Sequence, residues 1–143
     1  MLLAVMLIFS ATPATASAAG RKPTPGKVTL TQISSPAYNK INIKWNRTSN
    51  ATHYKIYYKK AGAGQWTSLA TVSGSATSYT HTSSKSRPVT PGQKYTYTVR
   101  GYNSRYKTYG SYDSRGLTTY TKPATVKLNR ASLGADKKSV TSS

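Results

Sequence analysis

The stretch VTPGQKYTYTVRGYN, Val89 to Asn103, restricts the fold more than any other part of the chain. Pro91-Gly92 signals a turn, and a strictly alternating run follows it, the period-2 pattern of a half-buried β-strand. Tyr95, Tyr97, Val99 and Gly101 share one face of that strand; Thr96, Thr98, Arg100 and Tyr102 share the other. The first face is suited to burial and the second to water.

The same alternation recurs along the chain. Lys27 to Ile33 brings Val28 and Leu30 to one side, INIKW does so with Ile41, Ile43 and Trp45, and HYKIYYKK with Tyr54, Ile56 and Tyr58. Further strands are expected over Trp66–Val72, around Tyr79 in SYTHT, and after a Lys107–Gly110 turn region, in a last strand broken by Gly116 and ending near Thr121. Turn signals at Gly62, Gly64 and Gly74-Ser75 separate them. Composition agrees. The chain has twelve Tyr and two Trp but one Phe, and its only two acidic residues are Asp113 and Asp136, so Glu is absent. Tyr, Trp and Thr suit pleated sheets, whereas helical bundles draw on Glu, Leu and Ala. An all-β domain follows, and with no cysteine its core alone must hold it.

Together the residues Pro25, Trp45, Tyr54-x-Ile56, Tyr79 and Val89-x-Pro91-Gly92-x-x-Tyr95-x-Tyr97-x-Val99 resemble the fibronectin type III domain over residues 25–122. ATHYKIYYKK and YTYTVRGYN are similar to type III repeats of secreted and surface proteins of Gram-positive bacteria. The resemblance implies a seven-stranded antiparallel immunoglobulin-like β-sandwich. In it Trp45 anchors the core, and Tyr95 is a corner tyrosine whose hydroxyl bonds back to nearby backbone. Val89 stands where leucine is usual in that family.

The ends read differently. Leu2 to Phe9 is an apolar run too short to cross a bilayer, which takes about 20 residues. Ala14-Thr15-Ala16 and Ala16-Ser17-Ala18 both fit small-x-small cleavage, so residues 1–18 are expected to be a secretory signal peptide, although no Lys or Arg precedes the run. Residues 19–24 read as a linker. In the tail, PATVKL echoes PGKVTL near Pro25, and Lys138-Ser139-Val140-Thr141 echoes Lys40-Ile41-Asn42-Ile43. Residues 123–143 therefore read either as a basic linker or as the start of a truncated second repeat, disordered by itself because two strands bury no core.

Catalysis finds little to work with. His53, His81 and Asp113 are the titratable candidates, no GxSxG elbow is present, and two histidines without a third ligand make a poor metal site. His53 is expected to be solvated and His81 half-buried. No enzyme activity, metal or cofactor is expected.

Charge points instead to binding. Twenty-one Lys and Arg set a formal net charge of +19, a field that attracts polyanions: nucleic acid, anionic wall polymers and acidic glycans. In type III domains the strands equivalent to 52–60 and 94–103 are neighbours. That resemblance places Lys55, Tyr57 and Lys59 beside Thr98, Arg100 and Tyr102 on one exposed face. Like charges on adjacent strands repel, so the face is either a candidate site for an anion or glycan or a solvated, Lys-protected sheet surface. The reading is a non-catalytic, secreted, extracellular spacer or adhesion module within a larger protein. It would contact a wall polymer or acidic glycan; the alternative is an accessory module of a secreted carbohydrate-active enzyme. A secreted location and the lack of a reader motif disfavour nucleic acid as partner.

Overall fold

The computed structural model describes residues 20–126. The expected signal segment 1–18, the first residue of the expected linker, and residues 127–143 of the tail lie outside the described residues. Eight strands follow in order: β1 (Leu30–Ala37), β2 (Lys40–Trp45), β3 (His53–Lys60), β4 (Thr67–Ser73), β5 (Ser78–Thr82), β6 (Lys94–Asn103), β7 (Thr108–Tyr109) and β8 (Leu117–Tyr120). Antiparallel pairing builds one sheet in the order β1-β2-β5 and another in the order β4-β3-β6-β7, with β8 also on β6. The count is eight rather than the expected seven. Thr108–Tyr109, read from sequence as a turn, makes two ladder pairs with Tyr102 and Asn103 and so forms a short strand of its own. Among the described residues no helix is long and apolar enough to cross a membrane.

The alternating faces meet between the sheets. Ile41, Ile43 and Trp45 of β2 face Tyr54, Ile56 and Tyr58 of β3 and Tyr95, Tyr97 and Val99 of β6, all of them buried. Trp45 meets Tyr54 edge to face at 5.7 Å between ring centroids, while Tyr58 lies 6.0 Å from Tyr95 and 5.7 Å from Tyr97. Such ring pairs add about 0.5–1.5 kcal/mol each beyond the area they bury.

A core built from Tyr requires partners for its hydroxyls, and each has one. Tyr54 Oη accepts from Thr48 N–H (2.8 Å), Tyr95 Oη accepts from Thr90 N–H (2.8 Å), and Tyr58 Oη donates to the Pro88 carbonyl (3.3 Å). The Tyr95 bond is the corner contact expected from sequence. It bridges the turn Thr90–Gln93, where Gly92 has φ 73° and Gln93 N–H reaches the Thr90 carbonyl at 3.3 Å. Positive φ at the third position is the signature of a type II turn, with Pro at the second. Trp45 Nε1–H, by contrast, is buried with no acceptor among the described residues, a cost of about 1–3 kcal/mol that the packing of its ring must exceed.

Two expectations from alternation are corrected. Thr96 and Thr98 point to the outer face yet are 6% and 1% exposed. The chain after β7 folds over them: Thr98 Oγ1 donates to the Asp113 carbonyl (2.7 Å), and Thr96 Oγ1 pairs with Thr118 Oγ1 (2.8 Å). His81 is fully buried rather than half-buried, at 2% exposure. Its Nε2 lies 2.9 Å from the Arg87 carbonyl, which can only accept, so Nε2 carries the proton and Nδ1 accepts from Tyr97 Oη at 2.6 Å. The ring stands edge to face on Tyr58 at 4.7 Å. Burial pushes the His81 pKa below its usual range and pushes the Tyr97 hydroxyl upward, so both are neutral in this pair.

Removing the corner hydroxyl in Tyr95→Phe strands Thr90 N–H and is expected to cost about 1–3 kcal/mol in urea unfolding; an unchanged midpoint contradicts this role. His81 also sets a pH dependence. The unfolded chain protonates its histidine below about pH 6.5 while the folded chain resists, so stability is full above that pH and falls as pH drops through it. The thermal midpoint is expected to fall between about pH 7.5 and 5.5, and His81→Phe to flatten that slope. A variant slope equal to the parent's contradicts it.

Candidate anion-binding face

β3 and β6 pair without a register break from His53↔Tyr102 to Lys60↔Tyr95, which sets Lys55 opposite Arg100, Tyr57 opposite Thr98 and Lys59 opposite Thr96. All five residues named from sequence, Lys55, Tyr57, Lys59, Arg100 and Tyr102, therefore lie on the outward face of one sheet. Directly opposed cations destabilise a ladder, and here aromatic rings and a carbonyl offset that repulsion. Arg100 Nε donates to the Gly110 carbonyl at 2.7 Å, and its guanidinium carbon lies 4.8 Å from the Tyr109 ring centroid and 5.4 Å from that of Tyr112. Lys55 Nζ lies over Tyr102 at 4.9 Å and over Tyr109 at 5.6 Å. Tyr102 and Tyr109 are themselves 4.7 Å apart. Further along, Lys59 Nζ sits 4.5 Å over Trp66. At a partly exposed surface each such contact contributes about 0.5–1 kcal/mol.

Trp66, Tyr109 and Tyr112 were not assigned to this face from sequence. Trp66 immediately precedes β4, Tyr109 lies in a two-residue strand and Tyr112 lies in the segment before β8, so no alternating run marks them. The spacing of tyrosines in YKTYGSYD, Tyr106 to Asp113, is the one signal present. The residues on either side of Tyr109 are tied down: Thr108 Oγ1 donates to the Pro23 carbonyl, outside the sheet, at 2.6 Å, and Gly110 N–H donates to the Gly101 carbonyl of β6 at 3.0 Å. Pro25 packs so closely on Gly110 that a Cβ there would lie 2.5 Å from its carbonyl oxygen. Gly110 is thus required by proximity, and its own carbonyl is the one that fixes Arg100.

Tyr57, Trp66, Thr98, Arg100 and Tyr112 line a shallow pocket of about 110 Å³. Asp113 is the only carboxylate among the described residues, and its Oδ1 accepts from the backbone N–H groups of Arg115 and Gly116. His53 flanks the face, its ring 6.3 Å from Tyr102 and its Nδ1 2.9 Å from Thr52 Oγ1. His81 belongs to the core on the other side of the sheet. Among the described residues no three His, Asp or Glu side chains cluster as metal ligands would. The chemistry on offer is attraction of an anion by Lys and Arg beside flat apolar rings.

No family model and no curated protein matches the chain. Solved structures do. The FN1–FN3 domains of chicken CNTN1 share 20% identity at TM-score 0.57, over 70% of this chain and 31% of that one, so the chain spans about a third of the chicken fragment. The fn3 domain of human contactin 1 shares 17% at TM-score 0.57, over 76% of this chain and 85% of that one. The fn3 domain of the human collagen alpha-1(XX) chain shares 17% at TM-score 0.56, over 77% and 99%. At such identities the likeness is one of fold. Two facing antiparallel sheets, a Trp45 anchor, the Tyr95 corner and these neighbours converge on one answer: the chain has the fibronectin type III fold.

Proposed function

We propose that the chain is a non-catalytic, extracellular fibronectin type III module that spaces and attaches other domains of a larger protein. Its Lys55–Arg100 face contacts anionic wall polymers or acidic glycans. The observation that carries this reading is the face itself: Lys55, Lys59 and Arg100 converge with four ring side chains, and the one described carboxylate, Asp113, is taken up by the Arg115 and Gly116 N–H groups. Arg100 is already held by Gly110 and its two flanking rings, so little side-chain freedom is lost when an anion arrives. The leader-like residues 1–18 support an extracellular setting. They also weigh against nucleic acid, which the charge alone would suit.

A net charge of +19 attracts polyanions everywhere, so the test must separate this face from the rest. Lys40 and Lys44 lie on the exposed face of the opposite sheet and provide a charge-matched control. Heparin and wall teichoic acid titrations are expected to show binding that weakens with salt. Lys55→Gln with Lys59→Gln is expected to weaken it about fivefold per charge, at about 1 kcal/mol each, and Lys40→Gln with Lys44→Gln far less. Absent binding at low salt, or equal losses in the two pairs, contradicts the proposal.

A further inference from the structure

Building on the anion-face reading above, we infer that the pocket between Trp66 and Tyr112 takes one carboxylate-bearing sugar ring of an acidic polysaccharide, with Arg100 gripping the carboxylate. Three aromatic rings reach this pocket from three separate parts of the chain: Tyr57 from β3, Trp66 from the lead-in to β4, and Tyr112 from the segment between β7 and β8. The core gains nothing from Trp66 here, because the ring stands on the outer face beside Lys59 rather than between the sheets. A polymer of phosphates alone would use Lys55, Lys59 and Arg100 and leave these rings idle. A sugar ring uses both, its C–H face stacking on an aromatic face and its acid meeting the cation.

The polar groups fit the same ligand. Arg100 is pinned through Nε to the Gly110 carbonyl, which fixes the plane of the guanidinium while its remaining N–H groups present the paired donors that match a carboxylate. The Thr98 hydroxyl is committed to the Asp113 carbonyl, so the phenols of Tyr57 and Tyr112 are the hydroxyl groups left for a sugar's own. A space of about 110 Å³ is on the scale of one sugar ring. Neighbouring units of the polymer would then pass over the flanking Lys59 and Lys55. Among the described residues no amide or carboxylate side chain lines the pocket to read the edge of a nucleobase.

Tryptophan fluorescence reports the site directly, because Trp45 is 2% exposed and Trp66 is the other tryptophan. The full chain is titrated at low salt with an oligogalacturonate, the matching neutral oligogalactose, linear polyphosphate and a short oligothymidylate. The oligogalacturonate is expected to shift the emission and to bind about tenfold more tightly than the neutral sugar, the range of a charge-assisted pair. Polyphosphate, which reaches Trp66 only through Lys59, is expected to shift it less. Tyr112→Ala is expected to lose about tenfold for the oligogalacturonate and clearly less for polyphosphate, which keeps Lys55 and Lys59. If uronate and polyphosphate bind alike with unchanged emission, and Tyr112→Ala is silent, the pocket assignment is wrong while the anion face stands. If no anion binds, both fall. An oligothymidylate that binds tighter than the uronate and shifts the emission makes the rings a platform for bases and overturns the assignment. The ligand comparison on the parent chain decides the matter even if a variant fails to fold.

Discussion

The unbroken pairing of β3 with β6 governs both halves of this molecule. From His53↔Tyr102 to Lys60↔Tyr95 each residue has one partner, so the side of the sheet on which every side chain falls is set once for the whole ladder. On the inner side the pairing sets Tyr54 opposite Gly101, Ile56 opposite Val99 and Tyr58 opposite Tyr97, all facing the other sheet, where Trp45 meets Tyr54; on the outer side it places Lys55 opposite Arg100. A slip of one residue would carry the inner set into water and the cations into the core. Burying one large apolar side chain is worth about 1.5–3 kcal/mol, so the inner rows penalise such a slip many times over. With no cysteine in the chain, no disulfide shares this task.

The outer row shows how a surface with this much charge is made tolerable. Lys55 and Arg100 would repel across the ladder, yet each cation rests against tyrosine rings and Arg100 also bonds the Gly110 carbonyl. The rings lower the local cost without cancelling the charge, since a ring quadrupole carries no net charge of its own. The positive charge of the face therefore remains while its cations are held in place. Pro25 and Gly110 extend the dependence further. The segment before β1 packs under β7, and β7 presents both the ring and the carbonyl that orient Arg100.

The division between what could and could not be read from the residues has a physical basis. Rows such as Ile41-Ile43-Trp45 and Tyr95-Tyr97-Val99 announce themselves because one face of a long strand meets one environment. Alternation fails where a strand's outer face is covered by a distant segment, and so Thr96 and Thr98 looked wet though the chain around Asp113 and Thr118 encloses them. It fails equally for Trp66, Tyr109 and Tyr112, which join the candidate face from strand ends and a connecting segment. His81 had the right parity, but its depth depends on Tyr58 and Tyr97 of the other sheet, a contact no local pattern records. The strand-borne residues of the face were thus legible, and the aromatic frame that completes it was not.

A fibronectin type III fold hosts many functions, so the functional reading stands on the outer face of one sheet rather than on the fold. That face exists only if β3 and β6 hold the stated register. Cross-strand backbone proton contacts measured by NMR on the intact chain test this most directly. The account predicts contacts joining Ile56 to Val99, Lys55 to Arg100 and Tyr54 to Gly101. Contacts displaced by one residue, such as Lys55 to Val99, would contradict it and dissolve the core and the candidate site together.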